Sequence, residues 1–189
     1  TDSPAGLAIA SIPERVDPAD TLVMTADSHN TDAGVLPIKA GARVGTASAR
    51  RQAWLKHLRP DLQVEPIRGN VPTRIGRLRE GFDGIVLAAA GLERLRDSSL
   101  DDRPTLDLHN CVLHRLDPET FVPSPAQGAL ALLCRVADRE IIAILSILAH
   151  GSTQVCVAVE RALLTRVEGG CDLAFGAYCT ETGIDGTLD

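Results

Sequence analysis

Aromatic residues are scarce in this chain of 189 residues: one Trp, one Tyr and three Phe. A core must therefore rest mainly on Ala, Leu, Val and Ile, and the stacking platforms that hold single-stranded nucleic acid are lacking. Net basic charge is lacking too, the formal balance being −6, so nucleic acid is excluded as the expected partner. No apolar run approaches the roughly 20 residues of a membrane helix, and TDSPAGLAIA lacks the basic start of a secretory signal. The five cysteines, Cys111, Cys134, Cys156, Cys171 and Cys179, contain no CxxC pair, and the five histidines form no HExxH, so no metal site is expected. Their odd number suits a reduced, cytoplasmic compartment in which most thiols are small buried apolar groups.

What is present describes a globular chain, with 44% hydrophobic and 23% charged residues, enough for one domain or two small ones. GLAIASI reads as a buried strand, beginning almost at once, and PERVDPAD as a polar connection. ARVGT is a short strand running into SARRQAWLKHL, a helix with Ser48 as N-cap and Trp54, Leu55 and Leu58 on one face. LQVEPI is the next strand, VPTRIGRLREG a helix stopped by Gly81, and GIVLAAA a buried strand. CVLHRL and ALALLC are further strands. REIIAILSILA and TQVCVAVERALLTRV are helices, the second burying a stripe of Val155, Ala158, Val159, Ala162 and Leu163. The alternation predicts an α/β fold with a largely parallel sheet, and residues 96–110 are its most loop-like stretch.

Charge is unevenly spread. Between Gly41 and Arg79 stand Arg43, Arg50, Arg51, Lys56, Arg59, Arg68, Arg74, Arg77 and Arg79 against only Asp61 and Glu65. That span is +7, which leaves −13 for the remainder. Two of its turns follow strands. At VGTASARRQ a helix start offers unpaired N–H groups, the hydroxyls of Thr46 and Ser48, and the forked donors of Arg50 and Arg51. At IRGNVPTR, Gly69 and Asn70 favour a tight turn flanked by Arg68 and Arg74. Each could be an ordinary capped helix or turn with solvated arginines. Because ligands of open α/β sheets gather at strand carboxyl ends, the pair together predicts a cleft for a ligand with several negative charges. In VEGGCDLAFGAYC, Gly169 and Gly170 end a helix before Cys171, which spacing alone favours as a structural thiol.

VGTASARRQAWL, RPDLQVEPIRGNVPTRIGRL, GIVLAAAGLERL, PSPAQGALAL and ERALLTRVEGGCDLAFGAY occur in the order found in hydroxymethylbilane synthase, also called porphobilinogen deaminase. The chain resembles that family over nearly its whole length. The resemblance implies head-to-tail condensation of four porphobilinogen units with release of ammonia, giving hydroxymethylbilane for haem and related tetrapyrroles. It implies a dipyrromethane cofactor attached by thioether, with Cys171 at the matching position, which holds the growing oligopyrrole. Each pyrrole carries an acetate and a propionate, which accounts for the arginines. By motif position Thr46, Ser48, Arg50, Arg51, Gly69 and Gln127 match cofactor-binding residues, and Arg68, Arg74 and Arg94 match residues lining the elongation cleft. Ala126 stands where many members have glycine, and Leu133 where an acidic residue is frequent.

The fold so implied is two-lobed and similar to periplasmic binding proteins, with one lobe incomplete and the start of a small α+β third domain. Residues 1–16 and 119–148 resemble returning parts of lobe 1, 17–118 an anion-binding lobe 2, and 149–189 the start of the cofactor-loop domain. The family's N-terminal Arg/Ser motif and its KD pair, whose aspartate handles the pyrrole nitrogen, have no match here, and neither has the rest of the third domain. Neither Asp83 nor Asp172 is spaced to replace that aspartate. The family is monomeric, and self-association of this chain is expected through the sheet edge that unmatched strands leave. Two other readings remain open: an inactive truncated copy that at most binds anionic tetrapyrroles, and a two-lobed anion-binding protein without covalent cofactor. Cys171 separates them, because only the synthase needs a thioether there.

Overall fold

Two sheets organise the computed structural model, which describes residues 4–96, 106–167 and 173–180. The larger has five strands in the order β4-β3-β5-β2-β6, namely Gln63–Glu65, Arg43–Gly45, Gly84–Ala88, Asp20–Thr25 and Cys111–Arg115. The smaller pairs β1, Leu7–Ser11, antiparallel with β7, Leu132–Arg135. Helices α1 (Ala49–Leu58), α2 (Val71–Gly76) and α3 (Ala89–Arg96) follow β3, β4 and β5 in turn. Helices α4 (Arg139–Ser146) and α5 (Gly151–Arg166) follow β7.

The large sheet is mixed, which corrects the largely parallel sheet expected from the sequence. β3 runs parallel to β4 and β5, but β2 runs antiparallel to both β5 and β6. The cause is β2 itself, a central strand that the sequence reading passes over. Its period-two alternation divides the core. Leu22 and Met24 join Val44, Val86, Leu55 and Phe121 on the face covered by α1, where Trp54 and Leu58 also pack. Val23 joins Ile85, Leu87, Ile75 and Leu92 on the face covered by α2 and α3. Both faces of the sheet are thus covered, which makes it the rigid platform of the molecule.

Local signals mark helix boundaries, but the single helix expected over VPTRIGRLREG is α-helical only to Gly76 and runs on as a 3-10 turn, Arg77–Glu80, before Gly81. Ser48 has extended backbone geometry before α1, Asn70 caps α2 by accepting from the Thr73 N–H at 3.0 Å, and Gly81 takes the left-handed conformation at φ 95°. The GLAIASI strand forms, but only Ser11 of β1 is buried.

The expected buried stripe of α5 is reversed. Val155 is 63% exposed, Ala158, Ala162 and Leu163 are exposed and Val159 is half-buried, whereas Thr153, Cys156, Val157 and Glu160 are buried. Hydrogen bonds turn the helix this way. The Glu160 carboxylate accepts from Arg15 at 2.8 and 3.2 Å, from the Ala126 N–H at 2.6 Å and from the Cys179 N–H at 2.9 Å. A buried carboxylate with four donors outweighs the burial of small apolar side chains, each worth about 1–3 kcal/mol at most. The apolar face that remains in solvent continues on α4 and beyond it, with Ile144 61% and Ile147 82% exposed. Among the described residues no single helix is long and apolar enough to cross a membrane.

Candidate functional site

The parallel strands β4, β3 and β5 all end on one side of the sheet, and three of the predicted segments follow directly from those ends. Thr46 and Ser48 link β3 to α1, Arg68, Gly69 and Arg74 lie between β4 and α2 or within it, and Arg94 lies exposed on α3 after β5. The antiparallel β2 begins at this same end, since Asp20 pairs with Ala88. Topology thus brings Asp20 and the loops that follow β3 and β4 to one end of the sheet.

Asp20 is the organising group there, and the sequence reading missed it. Fully buried, it accepts from Arg50 Nη2 at 2.7 Å, from Arg51 Nη2 at 2.7 Å and Nε at 3.0 Å, and from Gln127 Nε2 at 3.0 Å. Arg50, 3% exposed, also donates to Ser124 Oγ at 3.0 Å and to the Val122 carbonyl at 2.7 Å. Burial pulls its guanidinium below the ordinary arginine pKa, and the neighbouring Asp20 carboxylate opposes that pull. Gln127 further donates to the Pro18 carbonyl at 2.6 Å. The structure therefore brings Arg50, Arg51 and Gln127 together around an internal carboxylate. An aspartate directly before the apolar run TLVMT was the available signal, because strand ends seldom bury a charge without a partner.

Most of the arginine excess is neutralised inside the chain. Arg43 pairs with Glu65, Arg59 with Asp61, Arg77 with Glu80 and Arg79 with Asp107, besides the two pairs to Asp20. Of the nine cations counted from the sequence, Lys56, Arg68 and Arg74 have no carboxylate partner among the described residues. Arg68 is exposed, and Arg74 donates from Nε to the Gly69 carbonyl at 2.7 Å, while its terminal nitrogens have no hydrogen-bond partner among the described residues. Gly69 sits at φ 111°, and a Cβ there would lie 2.7 Å from the Thr73 methyl, so only glycine fits this turn.

The α1 start keeps donors in reserve. Ser48 Oγ accepts from Arg51 N–H at 3.5 Å, a long bond that holds the hydroxyl weakly, and Ser48 N–H donates to Thr46 Oγ1 at 3.2 Å. Thr46 is buried, with its own N–H donating to the Glu65 carbonyl at 2.9 Å, which ties the two loops together. Gly45 lets Ile67 and Phe82 approach a would-be Cβ to 3.1 and 3.2 Å, so the strand end is packed from behind.

Asp83 lies at the opposite end of β5. Burial pushes its carboxyl up, but Lys39, the Arg43 N–H and Ser28 together hold it below the usual carboxylate range. Its role is structural. Ala126 has φ 61°, the left-handed region, which explains why glycine is frequent there and costs alanine about 1–2 kcal/mol. Leu133 is 46% exposed on β7, and nothing around it explains the loss of an acidic residue. Cys171 and Asp172 lie outside the described residues.

A family model described as "Porphobilinogen deaminase, dipyromethane cofactor binding domain" matches residues 1–143. The chain belongs to the porphobilinogen deaminase family. It is 43% identical over 180 residues to the porphobilinogen deaminase of Sorangium cellulosum, covering 94% of this chain and 54% of that protein. It is 40% identical over 178 residues to that of Brevibacillus brevis, covering 94% and 52%. The chain thus spans about half the length of these relatives. Among solved structures, an arginine transport system periplasmic binding protein from Legionella pneumophila aligns at 12% identity and a TM-score of 0.40, over 86% of this chain and 63% of that one.

Proposed function

We propose that this member of the porphobilinogen deaminase family binds the acetate and propionate groups of a linear oligopyrrole where β4, β3 and β5 end. One observation supports the reading above the rest: Arg68 and Arg74, the cations of that end without a carboxylate partner among the described residues, flank a glycine turn beside the α1 start. Forked guanidinium donors and helix N–H groups are what a carboxylated chain needs. Arg50 and Arg51 act behind them, holding the surface in place through Asp20. In this reading 17–118 is the anion-binding lobe, 1–16 with 119–148 belong to a first lobe, and 149–189 to the cofactor-loop domain.

A stable octacarboxylated tetrapyrrole, uroporphyrin, is a direct probe. Losing one charge-assisted contact removes about 1.5–3 kcal/mol, so Arg68→Ala should weaken binding at least about tenfold and flatten its dependence on salt. Calorimetric titration of both proteins at two ionic strengths measures this. Equal affinities and equal salt slopes would remove the reading.

The family model's description favours a second, fuller reading, in which Cys171 carries dipyrromethane and the chain takes part in porphobilinogen condensation in the cytoplasm. When bound, that cofactor would hold the growing pyrrole chain. Thr46, Ser48, Gly69, Arg68, Arg74 and Arg94 would orient its carboxylates. Binding alone is the leading reading because the aspartate at this end, Asp20, is already engaged by Arg50, Arg51 and Gln127. Intact mass after expression in cells that make porphobilinogen separates the two. Two added pyrrole units, absent from Cys171→Ser, support attachment, and an unmodified mass in both rules it out.

A further inference from the structure

The buried face of α5 brings two thiols together. Cys156 lies one helical turn before Glu160 on the same face, and the Glu160 carboxylate accepts the Cys179 N–H at 2.9 Å. That bond pins the backbone of Cys179 against the helix face that carries Cys156. Both cysteines are free. They line an open cleft of about 450 Å³ together with Arg15, Arg115, Tyr178 and Thr153. Residues 173–180 form no helix or strand, so Cys179 can adjust to the narrow geometry a disulfide requires.

We propose that Cys156 and Cys179 are the site of a reversible intramolecular disulfide, formed by exchange with a small-molecule disulfide such as oxidised glutathione that enters this cleft. Cys179, the more exposed of the two, attacks one sulfur of the small disulfide as thiolate; its S–S bond breaks, one glutathione leaves, and the other stays bound to Cys179 as a mixed disulfide. Cys156 then gives up its proton and attacks the Cys179 sulfur, releasing the second glutathione. Two electrons pass from the protein thiols to the small disulfide, and the two protons end on the released glutathiones. The order follows from exposure: Cys156 is buried and Cys179 is not, and burial with the neighbouring Cys179 and Glu160 pushes the Cys156 thiol up to about 11, which makes it the resolving partner. Cys111 and Cys134 sit on β6 and β7 in different sheets, so neither competes. The link would fasten the segment before residue 180 to α5, closing a loop that contains position 171. It stands independently of oligopyrrole binding.

The test exposes the protein, free of any tetrapyrrole, to oxidised glutathione, alkylates the remaining thiols with iodoacetamide and maps the peptides by mass spectrometry. The Cys156 and Cys179 peptides should be joined, with Cys111 and Cys134 alkylated, and dithiothreitol should separate them. In Cys156→Ser, Cys179 should instead keep a glutathionyl group. In Cys179→Ser, Cys156 should stay reduced. Alkylation of both cysteines in the unaltered protein would overturn the proposal. So would a Cys171–Cys179 link, or a glutathionyl group on Cys179 as persistent as in Cys156→Ser.

Discussion

Replacing Asp20 with alanine should lower the unfolding free energy by about 3–5 kcal/mol, as expected when one partner of a buried ion pair is removed. Asp20 is fully buried and satisfies donors from Arg50, Arg51 and Gln127, so its loss strands a guanidinium that is itself only 3% exposed. Urea denaturation followed by circular dichroism measures the change. Pairing the substitution with Arg50→Met should return part of the loss, because the second change removes the stranded charge. A cost below about 1 kcal/mol, or strictly additive effects, would mean that Asp20 does not organise this end of the sheet. The same geometry predicts that Arg50→Ala acts first on stability, unlike Arg68→Ala, which acts on ligand affinity.

Glu160→Ala should be comparably severe, about 3–5 kcal/mol. The carboxylate is 1% exposed and joins three distant parts of the chain: Arg15 after β1, Ala126 in the PSPAQG turn, and Cys179. Its removal leaves Arg15 facing an emptied site and two backbone N–H groups without their acceptor. Limited proteolysis gives a second readout, since residues 173–180 would lose their tie to α5 and be cut earlier than in the unaltered protein. Glu160→Gln, which keeps one acceptor oxygen, should be milder. Equal stability and unchanged cleavage in Glu160→Ala would show that burial of Val157 and Cys156 alone orients the helix.

Much of the fold was legible because its signals are local. Ser48 before ARRQAWL, Asn70 before VPTR and Gly81 after RLRE each mark a boundary through a side chain or a backbone freedom that acts within a turn. What was not legible depends on partners distant in sequence. β2 is six residues long and begins at Asp20, the last residue of what reads as a polar connection, so its place at the centre of the sheet shows only in its pairing with β5 and β6. In α5 the apolar periodicity pointed to the wrong face, because the decisive residue is a single glutamate with donors up to 145 positions away. The arginine span was legible as a local excess of charge, but the structure disperses it: Arg50 and Arg51 meet Asp20, Arg59 pairs with Asp61, and Arg79 pairs with Asp107. Counting charge along the chain could not tell which arginines answer Asp20, Glu80 or Asp107 from outside the span and which remain for a ligand.

The central claim is a place: carboxylated pyrroles bind where the three parallel strands end. Backbone amide chemical shifts of the isotopically labelled chain, followed while uroporphyrin is added, test it residue by residue. The account predicts saturable shifts at Ser48–Arg51 and at Arg68–Asn70, with Ser28, Lys39 and Asp83 at the far end of the sheet unmoved. Shifts centred on Asp83, or on the exposed isoleucines of α4, with Ser48 and Gly69 unchanged, would contradict it.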